Sequence, residues 1–117
     1  MRHQKKGRKF HRLRGRRISF LRNLANNLIR KEKIETTEAR AKEIRPMVER
    51  YVTLAKKEDL ARRRLLISRL HDAKLVGKLM GDIALRYKER HGGYLRITKL
   101  SKSRKRDGTR LAVIEFV

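Results

Sequence analysis

The chain has 117 residues, with 35 Lys and Arg against 12 Asp and Glu, a formal net charge of +23 at pH 7. That length allows one domain with one modest core, and a self-repulsion of this size calls for a polyanionic partner, so nucleic acid is expected. The absence of cysteine excludes disulfides, thiolate nucleophiles and Cys-based zinc sites. The histidines His3, His11, His71 and His91 never fall at the i, i+3 or i+4 spacing that would join two imidazoles on a helix, so no metal is expected.

The first seventeen residues, MRHQKKGRKFHRLRGRR, hold nine basic side chains and no carboxylate. Their apolar residues, Met1, Phe10 and Leu13, make no helical or strand face, so residues 1–16 read as an extended basic arm, disordered alone and ordered against phosphate. Arg2, Lys5, Lys6, Arg8, Lys9, Arg12, Arg14, Arg16 and Arg17 carry the charge. Arginine offers planar bidentate contacts and lysine a point charge, while Gly7 and Gly15 let the backbone approach or turn. No uninterrupted apolar run follows that could serve as a secretory core or membrane span, which predicts a soluble cytoplasmic protein without membrane contact.

Residues 17–117 read as a single domain. Ile18, Leu21, Leu24, Ala25, Leu28 and Ile29 recur at three- and four-residue steps and predict a helix over about 17–31. Its other face carries Arg22, Asn23, Asn26, Asn27 and Arg30. Because the arm leads straight into this helix, Arg22 and Asn23 are candidate RNA contacts. "KIET" predicts a strand, followed by Thr37 as N-cap with Glu38 in the first turn of a helix over about 38–57, irregular at Pro46. Asp59 and Asp72 precede apolar periodic runs and predict helices over 60–70 and 73–87. In the second of these, Gly77 and Gly81 are read as sites of close packing.

The pattern then changes to period two. "YLRITKL" and "RLAVIEFV" alternate around the Asp107-Gly108 turn signal and predict a hairpin with Ala112, Ile114 and Phe116 on the core face and Glu115 opposite. The basic connection "SKSRKRDGTR" offers Lys102, Arg104, Lys105 and Arg106 as further contacts. The order α-β-α-α-α-β-β predicts a two-layer α+β domain, a small mixed three-stranded sheet with helices on one face.

No nucleophile stands in a catalytic context, no carboxylate pair stands beside a histidine and no phosphate-binding loop is present, so neither an enzyme, a cofactor nor a small-molecule substrate is expected. Seven of the twelve acids lie between Glu32 and Asp59, while basic residues cluster at the arm, helix edges and hairpin loop. A uniformly solvated surface would mix the signs. A DNA-binding or nucleoid-associated protein is the alternative, with the helices at 60–70 and 73–87 as a helix-turn-helix. The mostly apolar "KLVGKLMGDIAL" makes a poor recognition helix.

"MRHQKKGRK", "IETTEARAK" followed by "ERYVTLAK", and "RHGGYLRI" resemble the L-seventeen family of bacterial large-subunit ribosomal proteins, in register from Met1 to Val117. The resemblance implies a structural protein of the ribosome, an α-β-α(3)-β(2) fold, binding to large-subunit rRNA near the exit of the nascent-chain tunnel, and contact with neighbouring proteins including the L-thirty-two type. It also implies that Arg2, His3, Lys5, Gly7, Arg8, Lys9, Arg12 and Arg17 touch rRNA. The chain departs from the family pattern at "LRGR" (13–16), where relatives usually carry a polar Asn-Ser-Ser-His type run, at Tyr51, usually aliphatic, and at Leu95, usually Thr. Phosphate contacts by Arg14 and Arg16 are expected to replace the polar run.

Overall fold

A computed structural model describes residues 7–117. The expected contacts Arg2, His3, Lys5 and Lys6 lie outside the described residues.

The first helix, α1 (Arg14–Lys31), buries Ala25, Leu28 and Ile29 and stops at Glu32 in a left-handed cap, with Arg30 and Lys31 at the end where the helix dipole favours cations. It begins at Arg14, not at the expected Arg17. Apolar periodicity starts only at Ile18, yet nothing in Arg14-Gly15-Arg16 prevents a helical turn from preceding the buried face. Strand β1 (Lys33–Thr37) leads into α2 (Glu38–Ala55), and the Thr37 side chain accepts from the Arg40 N–H at 3.3 Å as the predicted N-cap. This helix buries Ala41, Ile44, Val48, Val52 and Ala55, and it runs through Pro46 without a break. Pro46 and Lys42 are both exposed, so the carbonyl that loses its helical donor lies on the solvent side.

Asp59 caps α3 (Leu60–Leu70), accepting from the Ala61 N–H at 2.9 Å, and Asp72 caps α4, accepting from the Leu75 N–H at 3.1 Å. α4 starts as Ala73–Lys78, widens into a π turn over Leu79–Ile83 and closes with Ala84–Arg86. Leu75, Val76, Leu79, Met80, Ile83 and Ala84 are buried along its length. The close-packing role expected of Gly77 and Gly81 does not hold, because a Cβ at either would meet open space. Their effect is to weaken the α-helix where it widens, Gly81 lying inside the π turn.

Strands β2 (Leu95–Ser103) and β3 (Arg110–Phe116) form the hairpin, joined by six residues in which Gly108 takes a φ of 66°. The sheet order is β1-β3-β2, and both pairings are antiparallel. The expected mixed sheet is therefore corrected: β3 lies between the two strands that run in the same direction. It has the most regular burial alternation, with Ala112, Ile114 and Phe116 inward, and a central position gives its backbone partners on both edges. Ile114 sits opposite Ile34 on one side and Ile97 on the other. On the outer face Glu115 meets Lys33 at 3.8 Å and Arg96 at 3.0 Å.

The "HGGY" break is structural. Tyr94 is buried, donates its backbone N–H to Glu49 Oε2 at 3.1 Å, and packs against Tyr87 at 5.3 Å between ring centroids. Tyr87 donates its hydroxyl to the Val117 carbonyl at 2.6 Å, tying the chain end to α4.

Candidate nucleic-acid interface

Residues 7–13 lie against the domain. Arg8 donates its backbone N–H to Glu43 Oε1 at 3.3 Å and its guanidinium to Glu43 Oε2 at 3.0 Å, which anchors this stretch to α2. The Arg12 N–H then donates to the Lys9 carbonyl at 3.1 Å across a turn whose central residues, Phe10 and His11, have φ of 51° and 52°. Two consecutive non-glycine residues in the left-handed region are costly and need compensation. The compensation is Phe20: the Phe10 ring meets it edge-on at 5.4 Å, the Arg12 guanidinium lies 3.9 Å from its centroid, and the same guanidinium donates to the Phe10 carbonyl at 2.8 Å. Arg40 of α2 lies 4.9 Å from the same ring.

Along α1, Arg14, Arg16 and Asn23 are exposed, and Arg17 and Arg22 half-buried, Arg22 donating to Ser19 Oγ at 3.4 Å. Asn26 does not join this outward set: its Nδ2 donates to the Leu70 carbonyl at 3.0 Å and ties α1 to the end of α3. In the hairpin loop, Arg104 donates to Asp107 Oδ2 at 2.7 Å and to Thr109 Oγ1 at 3.3 Å, so it organises the loop itself. The Asp107 carboxyl is held below its ordinary pKa by the Thr109 backbone N–H, with the Thr109 hydroxyl and Arg104 adding to it. Lys102 reaches Glu35 at 3.2 Å, an exposed pair of little energetic weight. Lys105 and Arg106 are exposed and meet no carboxylate among the described residues.

Sequence reasoning did not select Phe20 and Arg40. They lie twenty positions apart, and only the three-dimensional path of the chain brings them together. In α3 the triplet Arg62, Arg63 and Arg64, which cannot all point inward and must in part face solvent or phosphate, has Arg64 exposed and Arg62 and Arg63 half-buried, and Arg69 is exposed beside it. A groove of about 740 Å³ runs between Leu21, Met47, Tyr51, Leu54 and Leu65, rimmed by Arg50 and Arg69. Its carboxylate, Glu43, is already engaged by Arg8, and burial raises the Tyr51 hydroxyl above its ordinary pKa. No group of acidic, histidine or cysteine side chains among the described residues could hold a metal ion, and no described helix is long and apolar enough to cross a membrane.

The sequence model described as Ribosomal protein L17 matches residues 20–117. The chain belongs to the ribosomal protein L17 family. It is 49% identical over 117 residues to the large ribosomal subunit protein bL17 of Hydrogenobaculum sp., covering 100% of this chain and 99% of that protein. The bL17 protein of Persephonella marina is 52% identical over 118 residues, with 100% and 95% covered, and that of Thermus thermophilus 46% identical over 117, with 100% and 99% covered.

For a ribosomal protein the division of charge is informative. Every acid from Glu32 to Glu49 faces a cation: Glu32 meets Lys78 and Arg86, Glu35 meets Lys102, Glu38 meets Lys42 and Lys99, Glu43 meets Arg8, and Glu49 meets Arg45. Residues 7–31 contain no acid. Lys9, Arg14, Arg16, Arg17 and Arg22 meet no carboxylate among the described residues, whereas Arg8 and Arg30 of the same stretch are paired with Glu43 and Asp72.

Proposed function

We propose that this protein is a structural constituent of the large ribosomal subunit that binds and stabilises large-subunit rRNA, working in the cytoplasm as part of the ribosome. The observation that carries the reading is the acid-free stretch 7–31, in which Lys9, Arg12, Arg14, Arg16, Arg17 and Arg22 meet no carboxylate among the described residues and suit packed phosphates, while Arg8 and Arg30 are paired with Glu43 and Asp72. Residues 1–16 act as the rRNA-binding arm, the last three as the first turn of α1. Arg2, His3, Lys5, Lys6, Gly7, Arg8, Lys9, Arg12, Arg14, Arg16, Arg17, Arg22, Asn23, Lys102, Arg104, Lys105 and Arg106 are its contacts, with Arg8 and Arg104 also serving the fold. Neighbouring large-subunit proteins, including one of the L-thirty-two type, complete the environment. The protein acts without catalysis.

A DNA-binding role has less behind it, because the helix that would read bases, α4, buries Leu75, Val76, Leu79, Met80 and Ile83. The test is a salt titration of binding to purified large-subunit rRNA, with duplex DNA as competitor, for the full chain and for a chain lacking residues 1–13. Loss of the arm should flatten the plot of log K against log salt by about 3 to 5 units, and rRNA should resist competition by DNA. Parallel plots for the two chains would overturn the arm's role, and equal competition by DNA the choice of RNA.

A further inference from the structure

We propose that Phe20, Arg12 and Arg40 form a phosphate-binding site, filled in the assembled ribosome by the backbone of an RNA strand. The inference rests on the rRNA-binding reading above and adds to it two residues, Phe20 and Arg40, that carry no contact role there. Arg12 comes from the arm, Phe20 from α1 and Arg40 from the first turn of α2. Both guanidinium carbons lie within 5 Å of one ring centre, at 3.9 and 4.9 Å. Their separation therefore cannot exceed the sum of those two distances, and neither has a carboxylate partner among the described residues.

Such an arrangement is unfavourable for a protein alone. Two like charges share one half-buried aromatic anchor, and the N-terminal end of an eighteen-residue helix adds positive potential at Arg40. Burial, followed by the positive charges of Arg12 and Arg104, weakens the hold of Arg40 on its proton. The arm also enters through two consecutive left-handed residues to put Arg12 there. An anion between or beside the guanidiniums offsets the repulsion between them and suits the positive end of α2.

The geometry leaves the donors available. A guanidinium stacked on a ring keeps its in-plane N–H groups directed outward, and Arg carries five of them. Arg12 uses one on the Phe10 carbonyl, while the Arg40 side chain makes no hydrogen bond among the described residues. Arg40 also borders an open cleft of about 380 Å³ between α1 and β1, with Asn27, Lys31 and Lys33 on its walls. Glu35, the cleft's one carboxylate among its lining residues, is paired to Lys102.

The test uses the full chain with Arg40→Gln, Arg40→Lys and Phe20→Leu. Three quantities are measured: binding to purified large-subunit rRNA across salt, the Tm of the protein without RNA, and the Tm in inorganic phosphate against chloride at matched ionic strength. Arg40→Gln should lower the slope of log K against log salt by about 0.7 to 0.9, which is roughly a fivefold to eightfold loss of affinity at 0.1 M relative to 1 M salt. Its Tm without RNA should stay level or rise, because a repulsion has been removed. Arg40→Lys should keep the slope and lose part of the affinity, and Phe20→Leu should lose affinity by releasing both guanidiniums. Inorganic phosphate should raise the Tm of the unaltered protein but not that of Arg40→Gln.

A lower Tm for Arg40→Gln with unchanged rRNA slope would make Arg40 a packing residue and overturn the proposal, while the rRNA-binding reading would stand on the unaltered protein's own slope. Stabilisation by inorganic phosphate without any change in rRNA slope would assign the site to free phosphate and overturn it equally. An unaltered protein with no affinity for rRNA would remove the reading beneath it.

Discussion

Helices α1 and α2 are each eighteen residues long and pack side by side, yet they are stabilised differently. In α2 the Thr37 cap, Glu38 in the first turn and the pairs of Glu38, Glu43 and Glu49 with Lys42, Arg8 and Arg45 satisfy the helix from within the chain. Its buried residues extend from Ala41 to Ala55. In α1 the N-cap position, Leu13, makes no side-chain hydrogen bond, the first turn holds Arg14, Arg16 and Arg17 at the end where the dipole disfavours cations, and full burial begins only at Ala25. Apart from Arg40, one helix has the charges of its N-terminal half matched by its own protein. The other has an N-terminal half whose charge is left for a partner.

On the inner side the comparison should vanish. Leu28 in α1 and Ile44 in α2 are both fully buried, and Leu28→Ala and Ile44→Ala should each destabilise the protein by about 2 to 5 kcal/mol in a denaturant titration. A cost below about 1 kcal/mol for Leu28→Ala would show that α1 is an appendage and not part of the core.

On the outer side the two helices should separate sharply. Replacing Arg14, Arg16 and Arg17 together by Gln should lower the slope of rRNA binding against salt by about 2 to 3 units and leave the melting temperature level or higher. The equivalent change at Lys42 and Arg45 should leave the slope nearly unchanged and lower the melting temperature slightly, because those cations serve their own carboxylates. Equal slopes for the two variants would dissolve the distinction.

The two halves of this comparison were not equally legible in the sequence. Local chemistry could be read directly: the caps at Thr37, Asp59 and Asp72, the core stripe of α1 and the inward face of β3 each depend on residues within a few positions. Direction and docking could not. Whether β1 pairs with β2 or β3 depends on which strand takes the centre, and alternation alone does not decide it. The junction of Phe20 with Phe10, Arg12 and Arg40 joins residues whose local patterns are unrelated, and a charge run says nothing of the turn that folds it back. Gly77 and Gly81 misled for the opposite reason: glycine spacing suggests close approach, but only neighbours in space can establish it.

A smaller effect tests whether α1 is under-stabilised at its start. Leu13 is 76% exposed and has extended backbone, φ −65° and ψ 156°, which suits an N-cap side chain. Leu13→Ser should therefore stabilise the protein without RNA by about 1 kcal/mol, and Thr37→Ala should destabilise it by a similar amount at α2. If Leu13→Ser has no effect while Thr37→Ala costs its share, the start of α1 is already satisfied by other means.

The smallest effect is a pH dependence that belongs to α2 and not to α1. Hydrogen bonding from Lys42 holds the Glu38 carboxyl below its ordinary pKa of 4.5; partial burial opposes this, and the charges of Lys42, Lys99 and Arg110 add to the lowering. A carboxyl whose pKa is lower in the folded protein than in the unfolded chain contributes stability that is fully present above the unfolded value. That contribution is lost as pH falls through the folded one. Acidification below about pH 4.5 should thus lower the melting temperature of the unaltered protein more than that of Glu38→Gln, which has no proton to take up there. The two curves should lie apart at pH 7 and converge in acid. No such term can arise from α1, since residues 14–31 contain no acid, and the same titration of a variant altered only at Arg14, Arg16 and Arg17 should keep the acid dependence of the unaltered protein. Curves for the unaltered protein and Glu38→Gln that run parallel from neutral pH into acid would remove Glu38 as the group through which α2 neutralises itself.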